Sequence, residues 1–206
     1  LEQPTAFNVN AGDADVWGVE AEVTWRITDG LSARVTGGWA DAELKNAAQD
    51  TYEQFPTFAP DGDVSGNKLL RQPEWMWSGS LDYFRPLSDD WEFYTGGDVS
   101  YQSGIYVGND NQGWLPEHTY VNGRLGLRSG VYTFELWGRN IFDDNHPTAA
   151  FRDIFWANTD NQFAPYTDQG ARPNFDDFVP LRYTVTSPLE RTWGISATMR
   201  FGAAAD

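Results

Sequence analysis

Apolar and polar residues alternate with a period of two through most of the chain. From Val16 to Ile27, Trp17, Val19, Ala21, Val23, Trp25 and Ile27 fall on one side, and Gly18, Glu20, Glu22, Thr24 and Arg26 on the other. A helical period of 3.6 cannot sort residues this way, so the pattern predicts an extended strand with two unlike faces. The turn sequence Thr28-Asp29-Gly30 follows, and alternation resumes with Leu31, Ala33, Val35, Gly37 and Trp39 opposed to Ser32, Arg34, Thr36 and Gly38.

After a polar stretch from Leu44 to Gln72, a third strand sets Trp75, Trp77, Gly79, Leu81 and Tyr83 against Met76, Ser78, Ser80 and Asp82. Ser88-Asp89-Asp90 turns the chain into a fourth, with Trp91, Phe93, Thr95, Gly97, Val99 and Tyr101 on its apolar side. A medium loop containing Asn109 to Pro116 leads to a fifth, which opposes Val121, Gly123, Leu125 and Leu127 to Asn122, Arg124, Gly126 and Arg128. Past Ser129-Gly130 the parity changes, so that Tyr132, Phe134 and Leu136 oppose Thr133, Glu135, Trp137 and Arg139. The segment from Asp143 to Ser187 is rich in Asn, Asp, Pro and aromatics. A closing strand then places Trp193, Ile195, Ala197, Met199 and Phe201 opposite Gly194, Ser196, Thr198 and Arg200. Thr5 to Asn10 reads as the end of an eighth strand.

Three features go beyond generic β-structure. The strands run to about ten residues, against about five or six in globular proteins, and a tilted strand needs about 9 to 11 to cross a bilayer. Connections alternate between short turns and long loops, the asymmetry of outer-membrane barrels. Aromatics fall in pairs at the two ends of the apolar face: Trp17 with Trp25, Trp75 with Tyr83, Trp91 with Tyr101, and Trp193 on the last strand, as two interfacial girdles require. Arg26, Arg34, Arg124, Arg128, Arg139 and Arg200 all take the polar face, where each avoids the roughly 2 to 4 kcal/mol that a midplane lipid position would cost. The expected fold is therefore an all-β antiparallel transmembrane barrel, with a soluble antiparallel sandwich as the rival that shares the alternation.

Composition sharpens this picture. With 10 Trp, 9 Tyr and 13 Phe in 206 residues, the chain has too much apolar surface for disorder. A net charge of −16 excludes nucleic acid as a partner, because phosphate binding needs a basic patch. Of the 14 basic residues only Lys45 and Lys68 are lysines. No cysteine is present, so neither disulfide nor thiolate metal site can form. No apolar run reaches the 18 or so residues of a spanning helix, and Leu1 to Asn10 lacks the features of a signal peptide, which for an exported protein would lie upstream.

Three segments carry a family resemblance. Asp15-Val16-Trp17-Gly18-Val19-Glu20-Ala21-Glu22, Leu136-Trp137-Gly138-Arg139-Asn140-Ile141-Phe142-Asp143, and Arg191-Thr192-Trp193-Gly194 to Arg200-Phe201 resemble the barrel of TonB-dependent receptors. The resemblance implies a bacterial outer-membrane barrel of about 22 strands around an N-terminal plug, powered by the inner-membrane TonB complex. Residues 1–206 would be its C-terminal seven or eight strands, with neither plug nor TonB box visible in them. Phe201 matches the aromatic with which such barrels close and are read by the barrel assembly machinery, although here Gly202 to Asp206 continue past it.

Chemistry-bearing residues are few. Asp61-Gly62-Asp63-Val64-Ser65-Gly66-Asn67 resembles the start of a calcium loop, but Gln72 holds the place of the bidentate Glu, and turn composition is the better account. His118 and His146 are far apart in sequence and give no metal site. Glu20 and Glu22 share the polar side of one strand, where solvated carboxylates are expected without catalysis. No Ser-His-Asp grouping or phosphate loop is present, so no enzyme and no cofactor is expected. Cargo contacts are expected in Asp143 to Ser187, on Arg152, Trp156, Tyr166 and Arg172, with Phe155 and Phe175 beside them. The expected function is TonB-dependent import of a scarce nutrient, an iron-siderophore or similar chelate. Two other readings stand beside it: a complete small barrel of structural or adhesive role, and a soluble carbohydrate-binding β-sandwich. An open sheet with two unpaired edges would favour the large barrel, and a closed eight-stranded ring the small one.

Overall fold

A computed structural model describes residues 12–47, 62–152 and 183–202. The described chain contains eleven strands and no helix: β1 (Asp13–Arg26), β2 (Leu31–Lys45), β3 (Trp75–Pro86), β4 (Glu92–Gln102), β5 (Ile105–Tyr106), β6 (Trp114–Leu115), β7 (His118–Arg128), β8 (Tyr132–Arg139), β9 (Ala150–Arg152), β10 (Tyr183–Val185) and β11 (Thr192–Met199). Seven of them form one antiparallel meander in the order β1-β2-β3-β4-β7-β8-β11. Each strand pairs with its predecessor because a short turn or a returning loop brings it there. Among the described residues β1 and β11 are edges, so the sheet is open and no eight-stranded ring closes.

The register carries the predicted faces across the whole sheet. One row of mutual partners runs Trp25, Ala33, Leu81, Gly97, Gly123, Gly138, Trp193, with an indole at each end and glycines toward the middle. The adjacent apolar row runs Val23, Val35, Gly79, Val99, Val121. Polar residues occupy the rows between, as in Thr24, Arg34, Ser80, Asp98, Asn122. A one-residue slip would turn a strand's polar side chains, among them Arg34 of β2 and Arg124 of β7, into the apolar row, so the two-faced pattern excludes odd offsets.

Among the described residues nothing covers the apolar face. Trp25 is 62% exposed, Trp193 58% and Ile195 84%, while among the described residues the buried apolar side chains gather in two small clusters at the end of the sheet that bears the long connections. A soluble sandwich would bury this face against a second sheet. Here the described strands form a single layer, and so large a continuous apolar surface marks contact with a non-aqueous medium.

The short turns match expectation. Thr28, Ser88 and Ser129 stand at their starts, with Ile27 N–H donating to the Leu31 carbonyl, Leu87 N–H to Trp91 and Ser129 N–H to Tyr132. Trp91 therefore lies in a turn instead of a strand, yet its ring still stacks on Phe134 of the apolar face at 6.3 Å. Three differences from the sequence reading concern length and loops. Strands β8 and β11 have only 8 residues each. Strand β2 continues to Lys45, because Leu44 is buried under the returning loop beside Ala47 and Val64. Both later loops contain ribbons, β5–β6 and β9–β10, too short for period-two alternation to reveal. Thr5 to Asn10 lie outside the described residues.

Candidate functional site

The polar face is a network of side chains that span neighbouring strands. Arg34 pairs with Glu22 at 2.9 Å, Thr36 bonds Ser78 at 2.8 Å, and Arg128 donates through Nε to Glu92 at 2.6 Å. Two links skip a strand altogether. Arg124 reaches Asp82 at 2.9 Å over Gly96, and the Tyr94 hydroxyl donates to Glu135 at 3.0 Å over Gly126. Glycine is needed under each link: a Cβ at 96 would meet the Asp82 carboxylate at 2.5 Å, and one at 126 would meet the Tyr94 ring at 2.7 Å. All the polar-face Arg residues named from the sequence lie on this side; Arg139 stacks over Trp137 at 5.2 Å.

The long connections interlock at one end of the sheet. Asn67 donates to the Asn109 carbonyl, Asn111 bonds both backbone groups of Lys68, and the Arg71 amide donates to Tyr106. The Arg71 guanidinium lies 4.7 Å from the Phe151 ring centroid, and Tyr183 packs on Ile105, Val107, Leu115 and Ala150. Elements from two loops thus share one small core, and Arg71 ties a third loop to them. Arg71 and Asn111 have positive φ, at 58° and 54°, so the tight turns beside this core hold two non-glycine residues in the left-handed region.

Lys68 sits among carboxylates: Nζ pairs with Asp41, with Glu74 at 3.4 Å and with Glu43 at 3.8 Å. The hydrogen bond to Asp41 raises its pKa above the ordinary lysine value, against the cost of desolvation and with help from Glu74. In the calcium-like loop, Asp63 accepts the Ser65 amide at 2.8 Å, and bonds from Ser65 lower its pKa. That is an Asx turn. Gln72 donates to the Pro73 carbonyl. Asp61 lies outside the described residues.

Asp144, a residue the sequence did not single out, lies against the segments that carry the two histidines. Asp144 accepts the Thr119 amide at 2.6 Å and the His146 amide at 3.1 Å, with His146 Nδ1 at 2.9 Å. His118 lies near enough to feel both Asp144 and His146 electrostatically, and its ring sits 5.1 Å from Tyr120. Burial raises the Asp144 pKa, but the bonds from Thr119 and His146 outweigh it and leave the carboxyl below its ordinary value. Asn140, 3% exposed, ties this corner together by donating to the Asp144 and Leu189 carbonyls and accepting the Asp144 amide. No group of three or more potential metal ligands occurs among the described residues.

Of the expected cargo residues, Arg152 pairs through its backbone with Tyr183. Trp156, Tyr166 and Arg172, with Phe155 and Phe175, lie outside the described residues. Trp17, Trp25, Trp75 and Trp193 are exposed on the apolar face, and Trp77, unnamed as a girdle residue from the sequence, stacks on Tyr101 at 5.6 Å. Trp39 likewise joins Trp75 at 6.3 Å. Aromatic spacing within one strand does not reveal these two, because the aromatic row forms across strands. Phe201 is 83% exposed.

A single antiparallel layer with an uncovered apolar face, an ion-paired polar face and loops gathered at one end defines the wall of a transmembrane β-barrel. The model of the family described as TonB dependent receptor-like, beta-barrel, matches residues 2–141, and the chain belongs to that family of bacterial outer-membrane receptors, which are not enzymes. Three solved structures share the fold. The ferric yersiniabactin uptake receptor FyuA from Yersinia pestis aligns with a TM-score of 0.66 at 19% identity, over 94% of this chain and 24% of the receptor. The siderophore receptor PiuA from Acinetobacter baumannii gives 0.61 at 16% identity, over 90% and 22%. The ferric-catecholate import receptor Fiu from K12 E. coli gives 0.57 at 20% identity, over 92% and 21%. The chain thus spans about a quarter or less of each receptor's length. No curated protein matches the sequence.

Proposed function

We propose that the full protein is an active importer that binds a scarce nutrient, an iron-siderophore or similar chelate, and takes it up with energy from the TonB complex. The observation that carries this reading is the likeness of nearly the whole described sheet to three siderophore or ferric-chelate receptors. The interlocked loops would form part of the outer mouth, and the ion-paired polar face would line the lumen against a plug supplied by other residues. Trp17, Trp25, Trp75, Tyr83, Trp91, Tyr101 and Trp193 would be the girdles in contact with outer-membrane lipid. Phe201 would serve the barrel assembly machinery, and Arg152, Trp156, Tyr166 and Arg172 would contact cargo from the last loop.

The test is uptake of a panel of radiolabelled ferric chelates by cells with and without the gene, each with and without TonB. Loss of uptake of at least one chelate in both deletions is expected. Uptake that survives loss of TonB would refute the energised mechanism, and no change for any chelate would refute the cargo class.

A further inference from the structure

One hollow at the long-loop end is left unused by this reading. It is lined by the loop preceding β3 and the β5–β6 ribbon, and among its walls are Lys68, Gln72, Glu74, Tyr106, Trp114 and Glu117. Its aromatic element is pre-set. A Cβ on Gly104 would overlap the Trp114 indole, so the glycine lets that ring lie directly on the backbone. The Tyr106 ring meets the indole edge-on at 4.8 Å and 66°. Although fixed on two sides, Trp114 remains 53% exposed.

A large, rigid, open aromatic surface beside polar groups recognises a ligand that is apolar on one face and polar at its rim. The rim groups narrow the choice. Glu74 and Glu117 disfavour an anionic chelate, and Glu74, like Asp41 and Glu43, is already paired with the Lys68 ammonium and so is not free to hold an organic cation. Carboxylate and amide oxygens accept from hydroxyls, while ammonium and amide N–H donate to them. The geometry points to a neutral hexopyranose ring as the ligand, its C–H face stacked on Trp114 and its hydroxyls bonded to Glu117 and Gln72. This site is independent of the cargo reading above and lies wholly within described residues.

The same sugar ring could arrive as a free glycan or as part of the lipopolysaccharide that surrounds the barrel, and one experiment separates these sources. Full-length receptor in detergent micelles is titrated with methyl glucoside, galactoside and mannoside, and saturation transfer from protein to sugar protons is recorded by NMR. At least one pyranoside should receive saturation, strongest on the C–H protons of one ring face. Trp114→Ala should raise the half-saturating concentration at least about tenfold. Gly104→Val should do likewise by unseating the indole without removing a polar group. Glu117→Gln, at an exposed residue, should weaken binding while the barrel keeps its heat-dependent gel shift.

Competition by lipopolysaccharide core oligosaccharide would identify the outer leaflet as the source, and its failure to compete would identify a free glycan. Absence of transfer to all three pyranosides would overturn the proposal. So would an unchanged titration in a folded Trp114→Ala barrel, or preferential binding of choline.

Discussion

Arg124 and Asp82 are joined at 2.9 Å although they stand on strands that do not touch, with Gly96 of β4 between them. The guanidinium has the reach to cross one strand spacing of about 4.8 Å twice only if no side chain rises from the middle strand. Both partners are about half exposed, so the pair is worth no more than about 1 kcal/mol and acts mainly to fix the wall's polar surface. Tyr94 and Glu135 repeat the arrangement over Gly126.

The two glycines should differ in tolerance. At position 96 a methyl group meets the end of the Asp82 side chain, which can turn away, and at 126 it meets the Phe134 carbonyl as well as the Tyr94 ring. Gly96→Ala should cost under about 1 kcal/mol and Gly126→Ala about 1 to 3 kcal/mol. Denaturant unfolding of the full receptor in micelles measures both, and equal losses would contradict the contact geometry.

Neighbouring positions on β1 test which face meets lipid. Val23→Arg puts a guanidinium into the apolar row and should cost roughly 2 to 4 kcal/mol if that row lies near the midplane. Thr24→Arg, on the polar face, should assemble as the parent does. Comparing outer-membrane yields by heat-modifiable mobility gives the answer, and similar yields would overturn the facing.

Asn140 should be the most sensitive loop residue. It is buried, has φ of 46° and bonds both Asp144 and Leu189. Asn140→Gly keeps the backbone conformation but loses the side-chain bonds, and Asn140→Ala loses both, so alanine should be the worse by about 0.5 to 1 kcal/mol. The readout is the rate of protease cutting in the long loops, and a worse glycine variant would refute the role of φ.

Acid should loosen the same corner. Because the Asp144 pKa is depressed in the fold, its stabilising bonds to Thr119 and His146 are complete above the ordinary carboxylate range and are lost as pH falls through the lowered value. Amide exchange at Thr119 should therefore stay slow to below about pH 4 and then accelerate, after correction for intrinsic rates. Asp144→Asn should remove that acid step. An unaltered profile in the variant would assign the transition to another group.

Alternation, with the turn residues between its runs, determined the seven long strands and their faces, the turns at Thr28, Ser88 and Ser129, and the parity change past Ser129-Gly130, because period two is a local property of extended backbone. It limited the register only to even offsets, because a two-residue slip also keeps Arg34 out of the apolar row; the pairing of Val35 with Val23 was set in the fold. The strand-skipping Arg124–Asp82 link, the place of Asp144 against the segments that carry His118 and His146, and the seat of Trp114 on Gly104 were decided only in three dimensions. Each joins residues whose separation along the chain carries no periodic signal. Their contact depends on how far strands twist and where loops return, which is set by the packing of the whole sheet.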